Sequence, residues 1–93
     1  AGLDYPGVSP IHCFLKDTKR ARYTTATDEG ALNAYKLVTK LEKINPSLEP
    51  SHAFAEAIKI APKLNKDTII IVNSCGDAKK DRDILKARLG KAI

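Results

Sequence analysis

The run "DTIIIVN", residues 67–73, constrains the fold of this chain more than any other stretch. Ile69, Ile70, Ile71 and Val72 are consecutive β-branched residues, so an extended backbone there would be apolar on both faces. Such a run reads as a central strand of a parallel sheet, covered on both sides. Only "RARYTTAT", residues 20–27, offers a second β-rich and roughly alternating segment. Two strands cannot form a self-sufficient sheet when one of them must be buried on both faces. The expectation is an α/β fold in which these 93 residues form a single segment of a larger α/β body.

Helical patterning fills the space between the two runs. Residues 1–19 read as loop, with a turn of helix around residues 11–15. Thr27 has the character of an N-cap, and Asp28 and Glu29 follow it where the helix dipole favours acids. Leu32, Tyr35, Val38 and Leu41 then recur every third residue, with Leu37 and Ile44 widening the stripe. That spacing predicts an amphipathic helix. "KINPSLEPSH" interrupts it, and Pro50 suits the first position of a second helix. Ala53, Phe54, Ala57, Ile58 and Ala61 would be its buried face, with Pro62 closing it. A last helix is expected over residues 81–92, with Ile84, Leu85 and Leu89 inward. The expected order is loop, strand, helix, helix, strand, helix.

Charge narrows the class less than it first suggests. Sixteen Lys and Arg against eleven Asp and Glu give a net +5, a balance compatible with nucleic-acid binding. The basic residues are scattered, however, apart from short clusters at 16–22 and 79–82. The aromatics Tyr5, Phe14, Tyr23, Tyr35 and Phe54 are not interleaved with those clusters as stacking platforms would be. A solvated surface is the simpler reading, with no nucleic acid and no membrane as partners. No apolar run approaches the ~18 residues of a membrane span, and the first residues lack the basic and apolar regions of a signal peptide. Cys13 and Cys75 are too far apart for a zinc-ligand pattern, and unpaired thiols point to a reducing compartment, the cytoplasm by default. The sequence holds no methionine, so excision from a longer polypeptide is expected ahead of a trimmed initiator.

Two places carry candidate chemistry. Ser74, Cys75 and Gly76 follow the expected strand, where open α/β sheets gather ligands. The same turn also reads as an ordinary strand-to-helix connection, and spacing alone does not decide between them. Glu49 stands at a helix start beside Ser51 and His52, where a carboxylate is more often a cap than a catalyst. His52, set among alanines, reads as a structural histidine. The opening "AGLDYPGVSP" is a turn-rich segment whose single charged side chain is Asp4. From residues alone, the chain is part of an α/β enzyme or a free-standing small basic α/β module that binds an anion or nucleic acid.

Taken together, "AGLDYPGVSPIH", "ATDEGALNAYKL", "PSLEPSHAFAEAIKIAP" and "IIIVNSCGDAKKD" resemble the C-terminal part of the tryptophan synthase β chain family, over essentially the whole length and in order. The resemblance implies the C-terminal portion of a three-layer, parallel-sheet fold-type II pyridoxal-phosphate enzyme. It implies a lyase of amino-acid biosynthesis that makes L-tryptophan from L-serine and indole and works with an α chain as a β homodimer. The lysine that carries the cofactor and the phosphate loop would lie elsewhere in the β chain, so the isolated segment is expected to be inactive. Residue by residue, Glu49 matches a glutamate beside the cofactor that assists proton transfer. Cys75, flanked by Ser74 and Gly76, matches a serine that meets the pyridine nitrogen. Asp4 matches an aspartate that contacts the hydroxyl of bound serine, and Tyr5 and Gly7 fall where backbone carbonyls hold a monovalent cation. Two departures stand out. Cys75 replaces serine, and Asp77 replaces an arginine expected to pair with Asp4, so Lys79 or Lys80 would have to come between two like charges.

Overall fold

The structure, a computed structural model, describes residues 2–90. Four α-helices lie among the described residues: α1 (Pro10–Asp17), α2 (Asp28–Glu42), α3 (Leu48–Ile60) and α4 (Arg82–Leu89). Single 3₁₀ turns follow α3 at Ala61–Lys63 and precede α4 at Ala78–Asp81.

The α/β expectation is overturned, because no strand exists among the described residues. Residues 20–27 and 67–73 are irregular chain rather than β1 and β2 of a sheet. Residues 22–26 and 69–74 make no main-chain bond to another main-chain group among the described residues. The physical reason lies in the character of the IIIV run. A strand is defined by its ladder, and a run apolar on both faces also needs cover on both faces. Neither is present, and Ile69 and Ile71 are 85% and 90% exposed.

The first two helices begin as their sequences dictate. Ser9 Oγ accepts the N–H of Ile11 at 3.2 Å to cap α1, with Pro10 in the first turn where its missing donor costs nothing. Thr27 Oγ1 accepts the N–H of Gly30 at 3.0 Å to cap α2, and Asp28 and Glu29 occupy its first turn. Helix α2 ends at Lys43, whose φ of 60° is left-handed and whose N–H returns to the Thr39 carbonyl. The third helix starts two residues before Pro50, so Pro50 is inside its first turn rather than at its first position.

Packing is confined to one side. Ala31, Ala34, Tyr35 and Val38 of α2 are buried, and α2 lies along α3. A small cluster of Tyr35, Ala78 and Leu85, flanked by Leu32, Leu48 and Leu89, joins α2 to the segment before α4 and to α4 itself. The expected apolar face of α3 is not a core here: Ala53 and Ile58 are exposed, and its buried residues are Pro50 and Ser51. In α4, Leu85 is inward but Ile84 is exposed, and the expected helix end at residue 92 lies outside the described residues. Helix α1 buries nothing, and an edge-to-face contact of His12 with Tyr23 steadies it, with Nδ1 2.9 Å from the phenol oxygen.

Candidate functional site

The turn at residues 74–78 is held by the loop between α2 and α3. Ser47, 1% exposed, donates Oγ–H to the Cys75 carbonyl at 3.0 Å. The Ala78 N–H reaches the Asn45 carbonyl at 3.3 Å, and Tyr35 donates to the Asn45 side chain at 3.5 Å. Gly76 has φ of 82°, a left-handed value, and a Cβ there would lie 3.1 Å from Ser47 Oγ. Glycine is therefore required by both backbone and space. Asp77 accepts the Lys79 N–H at 2.7 Å and starts the 3₁₀ turn that leads into α4.

That 3₁₀ turn delivers two charged side chains to the start of α3. Asp81, 4% exposed, accepts the Leu48 N–H at 2.9 Å and so satisfies one of the open donors of the helix. Lys80 donates to Glu49 Oε2 at 2.6 Å and lies 3.1 and 3.3 Å from the two Asp81 oxygens. The other Glu49 oxygen accepts the Gly2 N–H at 3.1 Å. Glu49 thus spends its carboxylate on the opening loop and on Lys80, not on helix donors further along. The Lys80 ammonium, the main-chain N–H of Glu49 itself and that of Gly2 together hold its carboxyl down to about 2, against the opposing effect of burial. The same pair raises the Lys80 ammonium above its ordinary value.

Glu49 also lines a cleft of about 260 Å³ between α2, α3 and α4. Leu3, Leu32 and Ile84 give that cleft apolar walls, and His52 closes one end. Arg88 pairs with Asp28 at its rim, 3.1 Å apart. His52 Nδ1 lies 2.7 Å from the Leu48 carbonyl, which can only accept, so Nδ1 carries hydrogen and the ring is a satisfied structural histidine.

The structure brings together some of the expected residues and leaves others apart. Glu49 meets the first residues of the opening loop, and Cys75 is tied by its carbonyl to the residue two before Glu49. Ser74 and Cys75 are exposed, and the Cys75 thiol is reduced. Asp4 and Asp77 are both exposed, and Lys80 is on Glu49 and Asp81 instead. Tyr5 is 81% exposed and its ring folds over Gly7, where an added Cβ would lie 2.8 Å from it. No cluster of three or more His, Cys, Asp or Glu suited to a metal ion occurs among the described residues. Asp81, Ser47 and Gly2 are the site residues the sequence did not single out, and Lys80, expected between Asp4 and Asp77, is on Glu49 and Asp81 instead. The contacts of Lys80 and Ser47 span 31 and 28 residues, and no periodicity marks a contact of that kind.

The low carboxyl value of Glu49 makes the site sensitive to acid. A carboxylate whose pKa is lowered on folding adds stability that is complete above its ordinary value of 4.5. That stability is lost as the pH falls from there through about 2. Thermal unfolding recorded from pH 7 to pH 2 should therefore show a loss of midpoint below pH 4.5 that is shallower in Glu49→Gln. Equal acid limbs in the two proteins would mean that Glu49 is not held by this pair.

An ionised carboxylate held in the wall of a largely apolar cleft, next to a glycine-dependent turn, is a candidate site. Comparison with known proteins gives the family. No family model matches the chain. It is 61% identical over 80 residues to the tryptophan synthase beta chain of Fusobacterium nucleatum subsp. nucleatum, a match covering 86% of this chain and 20% of that one. Identity to the tryptophan synthase beta chain of Cereibacter sphaeroides is 53% over 90 residues, 97% of this chain and 22% of that protein. For the tryptophan synthase beta chain of Bordetella petrii it is 52% over 90 residues, 97% of this chain and 23% of that one. The chain belongs to the tryptophan synthase beta chain family, as a segment spanning about a fifth of the length of the curated relatives it matches.

Proposed function

We propose that the chain acts as the C-terminal part of a pyridoxal-phosphate-dependent tryptophan synthase β chain, forming L-tryptophan from L-serine and indole. The observation that carries this reading is identity of 51–61% to five tryptophan synthase beta chains, continuous over 80 to 90 residues. An α chain, the rest of the β chain and a second β chain are its partners, and the cytoplasm is its compartment. No helix among the described residues is long and apolar enough to cross a membrane.

The residues present fit one edge of a pyridoxal phosphate site. The Cys75 carbonyl is occupied by Ser47 while its thiol is exposed, so the side chain is available to the pyridine nitrogen. Bound there, pyridoxal phosphate would supply the electron sink for carbanion chemistry at the amino-acid substrate. This chain's own contributions are narrower. Glu49 holds or moves a proton at its Oε atoms, and the Ser47 hydroxyl and Gly76 fix the path of the turn behind Cys75. Asp4, carried on the opening loop, receives the hydroxyl of L-serine. The carbonyls of Tyr5 and Gly7 would hold a monovalent cation.

The alternative of a free-standing basic module has less support. The relatives that this chain matches over 86–97% of its length are tryptophan synthase beta chains, of which it spans about a fifth. An assay for L-tryptophan from L-serine and indole decides the main reading. A full-length chain carrying this segment should turn over, and the 93 residues alone should not. A full-length chain that binds the cofactor yet forms no tryptophan would overturn it.

A further inference from the structure

Lys80 occupies an unusual place for a lysine in a charged run. Its ammonium stands between two carboxylates, 2.6 Å from Glu49 and 3.1 Å from Asp81. Asp81 is itself immobilised, since it is almost fully buried and accepts the Leu48 N–H at the residue before Glu49. The ammonium therefore has a fixed anchor on one side and, on the other, the carboxylate that lines the cleft. A displacement of Nζ by less than an ångström, on the order of one hydrogen-bond adjustment, would transfer it from mainly Glu49 to mainly Asp81.

We propose that Lys80 is a positioning residue that sets the protonation of Glu49, with Asp81 as its alternative partner. This rests on the reading that Glu49 moves protons in the reaction. The charge balance explains why three groups are needed. With Glu49 ionised the trio carries one net negative charge. When a proton adds to a Glu49 oxygen, an O–H bond forms and the trio becomes neutral, because Asp81 still compensates Lys80. With Lys80 alone, the same proton would leave an uncompensated cation beside a half-apolar cleft, which is costly. Lys80 on Glu49 favours the anion, and Lys80 drawn onto Asp81 lets Glu49 take up a proton.

The other groups around Glu49 do not account for this control. His52 on α3 has Nδ1 committed to the Leu48 carbonyl, and Arg88 on α4 is committed to Asp28 on α2. The opening loop contributes the Gly2 N–H, which is neutral and favours the anion in either state of Lys80. Lys80 is the one cation recorded against Glu49 among the described residues.

The test is a carboxyl titration of Glu49 by carbon-13 NMR in the full-length chain without cofactor, together with the pH profile of tryptophan formation in the loaded enzyme. Glu49 should titrate near 2 in the wild type and clearly higher in Lys80→Met, where only the Glu49 and Gly2 N–H groups still favour the anion. Lys80→Arg should keep it low. In Lys80→Met the rate should acquire an acid limb, with tenfold loss for each pH unit below the raised value. Asp81→Asn retains an acceptor for Leu48 but removes the alternative anchor, so Glu49 should stay ionised to at least as low a pH as in the wild type. A purely structural role would not move the two variants apart in this way. If Lys80→Met does not fold, Lys80→Gln serves. A wild-type Glu49 titrating at 4.5, or one unmoved by loss of the ammonium, would overturn the proposal. Full activity in Glu49→Gln would instead overturn the reading of Glu49 on which the proposal rests.

Discussion

Glu49→Gln in the full-length enzyme should slow tryptophan formation by ~10²–10⁴-fold while leaving the cofactor bound, the usual range for removal of a positioned acid–base group. Glutamine has the same reach and keeps an oxygen that can accept the Gly2 N–H or the Lys80 ammonium. The apolar walls of the cleft and the turn at residues 74–78 should be undisturbed, because neither hydrogen-bonds to the Glu49 side chain. What glutamine lacks is a site for the proton. The check is a comparison of kcat with cofactor absorbance and L-serine affinity in the same preparation. A large loss in kcat with unchanged affinity is the expected result. Near wild-type turnover would return Glu49 to an ion-pair role alone.

How much of this was legible in the sequence depends on the range of the interaction concerned. The start of α2 is written in Thr27, Asp28 and Glu29, whose effects act within one turn, and the structure repeats them. The inward side of α2 follows from the spacing of Tyr35 and Val38, although Leu41 of the same stripe is exposed. The two strands expected from the sequence do not form, since Ile69 to Val72 express a preference that only a neighbouring backbone can satisfy. No such neighbour lies among residues 2–90. The α3 face failed for the same reason: Ala53 and Ile58 are apolar at helical spacing, but apolar character does not create the surface they would pack on.

The site divides in the same way. Glu49 read as a cap, because acids at helix starts usually are caps. The structure gives the Leu48 N–H to Asp81, a residue 33 positions later, and Glu49 is thereby available to the cleft. "KKD" read as a solvated charge run, and among the described residues Lys79 makes no ion pair while Lys80 and Asp81 do. Adjacent residues with the same chemistry diverge because the 3₁₀ turn points them in different directions, which composition cannot express.

Asp81→Ala should be the most destabilising single substitution in this region, costing about 2–4 kcal/mol. Its loss leaves the Leu48 N–H without its acceptor at the start of α3, and an unsatisfied donor of that kind costs roughly 1–3 kcal/mol. It also removes an anion from a helix N-terminus, which adds about 0.3–1 kcal/mol and up to ~2 where partly buried. The small cluster of Tyr35, Ala78 and Leu85 lies next to it, so few other contacts can compensate. Asp81→Asn should cost roughly half as much, because its amide oxygen can still accept from Leu48. Lys80→Met should cost far less in stability, since the Lys80 side chain is half exposed and exposed pairs contribute about 0–1 kcal/mol. Urea unfolding of the full-length chain, read by midpoint and slope, measures all three. The ranking matters more than any single value. Asp81 should dominate the unfolding data and Lys80 the titration of Glu49, because one side chain closes a helix and the other governs a proton. If Lys80→Met proved as destabilising as Asp81→Ala, the ammonium would be part of the structural joint, and the division of labour between the two neighbours would be wrong.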